Sequence, residues 1–341
     1  MLDFSSALYL GLRHASHELA PWSQLTLGAP AALVEPTAAS FAATKLARLA
    51  GCESATLCRT SLHALLDLIP IFADAKRTVI LIDSAAYAVS QWGVELAAAR
   101  GVAVNHLRHY QPDDAWRTAQ RYSALGPEPM IVLDGSCPRC GRPAPLAEYL
   151  EIVRRFGGRV VVDDTQAFGL VGVAGGGSLR ATVDAAATPA VVVASLAKAF
   201  GVPLAFVGGS SQDIARFVRR SETRVHLSPP SMADLYAALH ALDVNTVEGD
   251  ARRRYLASLI QQLQEGLADL GVPDGLTPVQ TVPTGALSPM RMYRRLLAAG
   301  ARGVLHRGCD GRARVSLIVT AMHTPSEIDQ AIRIIWRCIG A

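Results

Sequence analysis

Lysine is scarce in this chain. Lys45, Lys76 and Lys198 are the only three, and arginine carries nearly all the rest of the positive charge. Lys198 closes the segment Val191-Val-Val-Ala-Ser195-Leu-Ala-Lys198-Ala-Phe-Gly201, just after an apolar run and between the small Ala197 and Ala199. A second segment, Val160-Val-Val-Asp163-Asp164-Thr165-Gln166-Ala-Phe-Gly169, likewise puts acids at the end of an apolar run. A lysine that must form a Schiff base needs a lowered pKa and room to reach an aldehyde. A carboxylate behind a pyridine nitrogen keeps that ring protonated, so that it can take up electrons. Phosphate asks for hydroxyls and backbone N–H groups at a helix N-terminus. These demands together describe pyridoxal 5′-phosphate, and the chain offers candidates for each. Either segment alone has an ordinary reading, as a solvated strand-end lysine or a turn-capping aspartate. The pair, both at strand ends where open α/β sheets bind ligands, favours the cofactor.

Short apolar, mostly β-branched runs position these groups: Val79–Ile82, Met130–Leu133, Val160–Val162, Ala190–Ala194 and Leu204–Val207. Their uniform hydrophobicity predicts strands buried on both faces of a mostly parallel sheet. Helical spacing separates them at Ser61–Ala73, Ser90–Arg100, Asp113–Tyr122 and Leu146–Phe156. The alternation predicts an α/β layered domain. Beyond it, Ser231–Gly271 reads as one or two long helices broken near Glu248–Asp250, followed by Gly- and Pro-rich turns over Val272–Pro289. A helix at Ser288–Ala299, a strand near Arg312–Val319 and a helix at Ser326–Cys338 predict a smaller α+β domain. The last helix is announced by Thr324-Pro-Ser-Glu327, a cap with proline in the first turn. The expected division is an N-terminal segment 1–30, a large domain 31–245 and a small domain 246–341.

The chain of 341 residues is half hydrophobic with 18% charged, enough to bury a substantial core. The net charge of +4 is dispersed, so no nucleic-acid partner is expected. No apolar run reaches spanning length, no leader pattern opens the chain, and six cysteines are unremarkable for this size. A soluble protein of the reducing cytoplasm is expected, with no membrane partner.

Five blocks in order make the chain similar to the α-oxoamine synthase family, the group that includes 8-amino-7-oxononanoate synthase. They are Phe4-Ser-Ser-Ala-Leu-Tyr-Leu-Gly-Leu12, Asp134-Gly-Ser through Ala-Pro-Leu146, Val162-Asp-Asp-Thr-Gln-Ala-Phe-Gly169, Ser195-Leu-Ala-Lys-Ala-Phe-Gly201, and Arg312-Ala-Arg314 with Ala321-Met-His-Thr324. The resemblance implies a fold-type I pyridoxal phosphate transferase: a large, mostly parallel seven-stranded sheet domain, a small C-terminal α+β domain, and a homodimer. It implies that Lys198 is the Schiff-base lysine and later the base, and that Asp163 pairs with the ring nitrogen. Gln166 takes the place of a histidine that contacts the ring hydroxyl, and Tyr87 that of the ring-stacking histidine. Ser195 helps bind phosphate, and Thr60, Ser61 and Leu62 match the loop that cradles it. Arg314, or Arg312 two residues away on the same strand face, would hold the substrate carboxylate. The implied reaction is decarboxylative condensation of an amino acid with an acyl thioester, carried on coenzyme A or a carrier protein. Because Tyr87 and Gln166 replace two titratable histidines, an aminotransferase on the same scaffold is the alternative. A cofactor-binding protein without turnover is a third reading, opposed by the intact lysine and aspartate.

Cys137-Pro-Arg-Cys140-Gly resembles half a zinc knuckle, but no second C-x-x-C or H-x₃-H completes four ligands. A plain turn is expected, and no metal. His226 and His323 are expected to be structural, and Ala174-Gly-Gly-Gly177 a turn.

Overall fold

The computed structural model describes residues 1–182, 188–271, 275 and 277–340. After a short β1 (Leu2–Asp3) and α1 (Thr37–Ala50), strands and helices alternate: β2 (Ser54–Cys58), α2 (Ser61–Phe72), β3 (Thr78–Asp83), α3 (Ala88–Ala99), β4 (Ala103–Leu107), α4 (Pro112–Ser123), β5 (Glu128–Asp134), α5 (Leu146–Phe156), β6 (Arg159–Asp163), α6 (Gly177–Thr182), β7 (Ala190–Ser195) and β8 (Ala205–Gly209). The seven strands β2 to β8 form one sheet in the order β2-β8-β7-β6-β5-β3-β4, in which only β8 runs against the rest. This is the expected large, mostly parallel sheet. β3 is buried throughout and β6 at all but its first residue, as helices on both faces require. β4 escapes the hydrophobic-run criterion because it is an edge strand in which Asn105 and His106 interrupt the apolar residues. The alanine-rich α1 escapes it too, since buried alanines such as Ala39 and Ala42 carry little periodic contrast.

After α7 (Ser211–Arg220) and α8 (Glu222–His226), α9 runs unbroken from Met232 to Gly266. Ser231 caps it, accepting from the Asp234 amide while the Asp234 carboxylate accepts in return. The break expected near Glu248–Asp250 does not occur. Gly249 stays helical because its bareness serves packing: a Cβ there would sit 2.3 Å from Asn245 Oδ1 and 2.8 Å from Arg253 Nη2. The space admits the Arg253 guanidinium, which donates to Asn245 Oδ1 (2.8 Å) and to the Gly169 carbonyl (3.0 Å), tying α9 to the loop after β6.

The remaining chain forms β9 (Val279–Thr281), α10 (Pro289–Ala298), β10 (Ala301–Arg302), β11 (Val304–Arg307), β12 (Ala313–Ile318) and α11 (Pro325–Ile339). β11, β12 and β9 make an antiparallel three-stranded sheet. Of the turns expected over 272–289, residues 272–274 and 276 lie outside the described residues, and β9 replaces part of the rest. Thr324 and Glu327 cap α11 reciprocally, as the sequence predicts. The N-terminal segment belongs to this region: β1 pairs with β10, and Phe4 stacks on His323 at 4.3 Å. His323 is buried; its Nδ1 accepts from the Thr320 amide and its Nε2 donates to the Asp3 carbonyl, which fixes one tautomer and a structural role.

Candidate active site

The carboxyl ends of the parallel strands share one edge of the main sheet, and the register places the candidate residues along it. β5 ends at Asp134 and β6 at Asp163, and these two residues pair across the strands. Asp163 faces Val193 of β7, two residues before Ser195. Ala205 of β8 pairs with both Ser195 and Cys58, so the Arg59-Thr60 segment leaving β2 emerges on the same edge. Ligands collect at such edges because the loops there are free to diverge from a rigid sheet.

Asp163 and Asp134 are each only 4% exposed. Burial raises the Asp163 pKa; hydrogen bonds from Thr165 and the charge of Lys198 pull it back down. Asp134 is held well above the usual carboxylate range by burial and by the neighbouring Asp163, despite the bond its Oδ2 accepts from the Tyr87 amide (2.9 Å). The Lys198 amine is lowered by the same desolvation, against the pull of both carboxylates. One lysine therefore stands within electrostatic reach of two buried acids, poised toward its neutral, nucleophilic form.

Other candidates gather around this centre. Thr165 Oγ1 accepts from the Ser195 amide (3.0 Å), joining the ends of β6 and β7. Gln166 Oε1 accepts from the Tyr9 hydroxyl (2.5 Å), which leaves its Nε2 to donate elsewhere. Tyr87, the residue before α3, is 48% exposed, so much of its ring is open to contact. Thr60 caps α2 by accepting from the His63 amide (3.3 Å). Among the described residues no acceptor meets the amides of Ser61 and Leu62, two of the orphan donors at that helix N-terminus.

The two arginines stand on the β11–β12 hairpin of the small domain. Arg314 lies in β12 opposite His306, and its Nη2 donates to Asp310 Oδ2 at 3.0 Å. Arg312 is not on the same strand face, as the spacing suggested: β12 begins at Ala313, leaving Arg312 in the turn with a largely exposed side chain. Two participants escaped the sequence reading. Asp134 opens a quoted motif but reveals its partnership with Asp163 only through strand register. Tyr9, 1% exposed, reaches Gln166 from the opposite end of the chain. The fold also brings His109 and Cys309 to the Cys137/Cys140 turn.

Comparisons with known proteins place the chain's family and fold. The sequence model of the family described as aminotransferase class I and II matches residues 23–335. An 8-amino-7-oxononanoate synthase of Alkalilimnicola ehrlichii is 30% identical over 305 residues, covering 86% of this chain and 75% of that protein. One from Halorhodospira halophila is 32% identical over 236 residues, 66% of this chain and 58% of that protein. Among solved structures, the fold is similar to Sphingomonas wittichii serine palmitoyltransferase, with TM-score 0.87 at 20% identity over 98% of this chain and 86% of that one. Among the described residues no helix is long and apolar enough to cross a membrane.

Proposed function

Because this chain belongs to the class I and II aminotransferase family, and within it to the α-oxoamine synthases, we propose that it condenses an amino acid with an acyl thioester, releasing carbon dioxide and a free thiol and leaving an α-amino ketone. The observation that carries the proposal is the set of Lys198, Asp163 and Asp134 on one buried sheet edge, with an uncommitted helix N-terminus on the same edge.

These residues fit pyridoxal 5′-phosphate. Lys198 would hold it through its amine, Asp163 would face the ring nitrogen, and the Ser61 and Leu62 amides with the Thr60 and Ser195 hydroxyls would take the phosphate. When bound, the group supplies an electron sink for negative charge at the substrate's α-carbon. The protein's part is positioning and proton traffic. Burial makes a bare Asp163 carboxylate costly, so a protonated ring nitrogen is the counter-charge the pocket favours. Desolvation lowers the Lys198 pKa and so favours the neutral amine, which suits it to act as the base at the α-carbon. Gln166, with Oε1 committed to Tyr9, presents Nε2 as a fixed donor. Asp134 is a positioning residue, holding the backbone of Tyr87 so that its ring can cover the site. Arg314 would exchange Asp310 for the substrate carboxylate.

A homodimer in the cytoplasm is part of this reading; Leu33 and Phe41, at 79% and 62% exposure on either side of the start of α1, are apolar surface that a second copy would cover. The test is to incubate cofactor-loaded protein with a panel of amino acids and acyl thioesters and to follow carbon dioxide and free thiol together. Stoichiometric release of both supports condensation. Exchange of an amino group between an amino donor and a keto acid, with no thiol released, would replace it with the aminotransferase reading.

A further inference from the structure

On the loop that follows Asp134, four potential metal ligands outside the proposed catalytic set converge. The side-chain ligand atoms of His109, Cys137, Cys140 and Cys309 all lie within 4.8 Å of one another. Cys137 Sγ and Cys309 Sγ are 3.3 Å apart, and Cys140 Sγ is 3.5 Å from His109 Nε2. With zinc–sulfur and zinc–nitrogen bonds of about 2.3 and 2.0 Å, a tetrahedral ion spaces its ligand atoms by roughly 3.5–3.8 Å. The four atoms thus need move only slightly to enclose one.

We propose that His109, Cys137, Cys140 and Cys309 bind one structural zinc ion that pins the small domain's β11–β12 hairpin to the loop following Asp134.

Three independent features support the assignment. The first concerns the histidine. His109 Nδ1 is 2.8 Å from Asp83 Oδ1, while Asp83 Oδ2 accepts from the neighbouring Tyr110 amide, also at 2.8 Å. A carboxylate on one ring nitrogen fixes the tautomer and turns the other nitrogen outward as a ligand, the arrangement usual behind zinc-bound histidines. The second concerns the turn. The Gly141 amide bonds the Cys137 carbonyl (2.9 Å), and the Cys137 amide bonds the Arg142 carbonyl (2.9 Å), folding the C-x-x-C-G segment so that both sulfurs face one point. The third is chemistry. Three sulfurs and one imidazole form a complete structural set for zinc, with no position left for substrate. Zinc would displace the thiol protons and gain three anionic ligands.

The location gives the site its purpose. His109 follows edge strand β4, Cys137 and Cys140 follow β5, and Cys309 comes from the hairpin that also bears Arg314. An ion here joins three segments far apart in sequence and sets the stance of that hairpin relative to the sheet edge.

The test uses the full chain with its cofactor, expressed with zinc supplied, dialysed and analysed for metal. One zinc per chain is expected. Metal-free protein reconstituted with cobalt(II) should show thiolate charge-transfer and tetrahedral ligand-field bands. Cys309→Ser and Cys140→Ser should each lose the bound zinc and the cobalt spectrum, whereas Cys52→Ser should keep both. Asp83→Asn should weaken zinc binding about 10- to 100-fold. Wild-type protein that takes up neither metal would overturn the proposal, even if the variants fail to fold. So would full zinc occupancy in Cys309→Ser, or a Cys137–Cys309 disulfide in the isolated wild-type protein.

Discussion

Two clusters of ionisable side chains sit a few residues apart in this chain, and they are assembled in opposite ways. The row of Asp134, Asp163 and Lys198 is made by the sheet: each residue ends or follows an apolar strand, strand register pairs the two acids, and Lys198 follows β7 within electrostatic reach of both. The His109, Cys137, Cys140 and Cys309 cluster is made by loops, and depends on how the β11–β12 hairpin meets the segments that follow β4 and β5. Asp163 and Lys198 are legible from a single sequence because the apolar strand before each announces it, whereas the part of Asp134 needs the strand register. The second cluster is invisible until the chain is folded, because two of its four ligands are neighbours to nothing in sequence that marks them. The clusters are linked through two intervening residues: Asp83, which orients His109, ends a strand in the same sheet as Asp134, and Tyr110 donates its hydroxyl to the Asp134 carbonyl at 2.7 Å.

The largest effects should separate the clusters by function. Lys198→Ala would remove both the proposed anchoring amine and the proposed base, and a loss of at least about 10³-fold in turnover is expected. Far-UV circular dichroism should stay unchanged, because the side chain ends on the sheet edge instead of in a core. Asp163→Asn should follow, with a loss near 10²-fold and a shift in the absorbance of bound cofactor, since the amide cannot hold the ring nitrogen protonated. A variant at either position with near-normal turnover would break the division.

Stability sharpens it next. Asp164, adjoining the catalytic row and 1% exposed, accepts from the Ser178 amide (2.9 Å) and hydroxyl, yet burial pushes its pKa up from 3.8 to about 7. An acid whose pKa is higher folded than unfolded binds more protons in the native state. Its contribution is therefore fully present below about pH 4 and lost as pH rises through about 7, with a ceiling of about 4 kcal/mol. Urea denaturation from pH 4 to 8 should show this decline, and Asp164→Asn should flatten it. In the loop-built cluster the weak point is a backbone one. Gly141 has φ +72°, and a Cβ there would lie 2.4 Å from Thr277 Oγ1 of the small domain. Gly141→Ala should cost about 1–3 kcal/mol by urea titration. The smallest effect expected is that of Tyr9→Phe, about 1 kcal/mol, from loss of the bond to Gln166.

The limits of the sequence reading have the same physical origin. β3, β5, β6 and β7 were found because buried parallel strands are apolar without interruption, and α11 because Thr324 and Glu327 spell out its cap. Gly249 suggested a helix break because local propensity counts glycine as a cost, while in the fold it makes room for Arg253. Tyr9 looked like part of a family block and nothing more, because its partner Gln166 lies 157 residues away. The pair Cys137 and Cys140 was read as a turn because ligand counting along the sequence stops at two. That segment is indeed a turn, and tertiary contact supplies the histidine and the third cysteine.

The proposal that Lys198 holds the cofactor is open to a direct test because lysine is so scarce in this chain. Protein loaded with pyridoxal 5′-phosphate can be reduced with borohydride, digested and mapped by mass spectrometry. A phosphopyridoxyl adduct is expected on the peptide containing Lys198. An adduct found instead on Lys45 or Lys76, or no adduct after loading, would contradict the proposal.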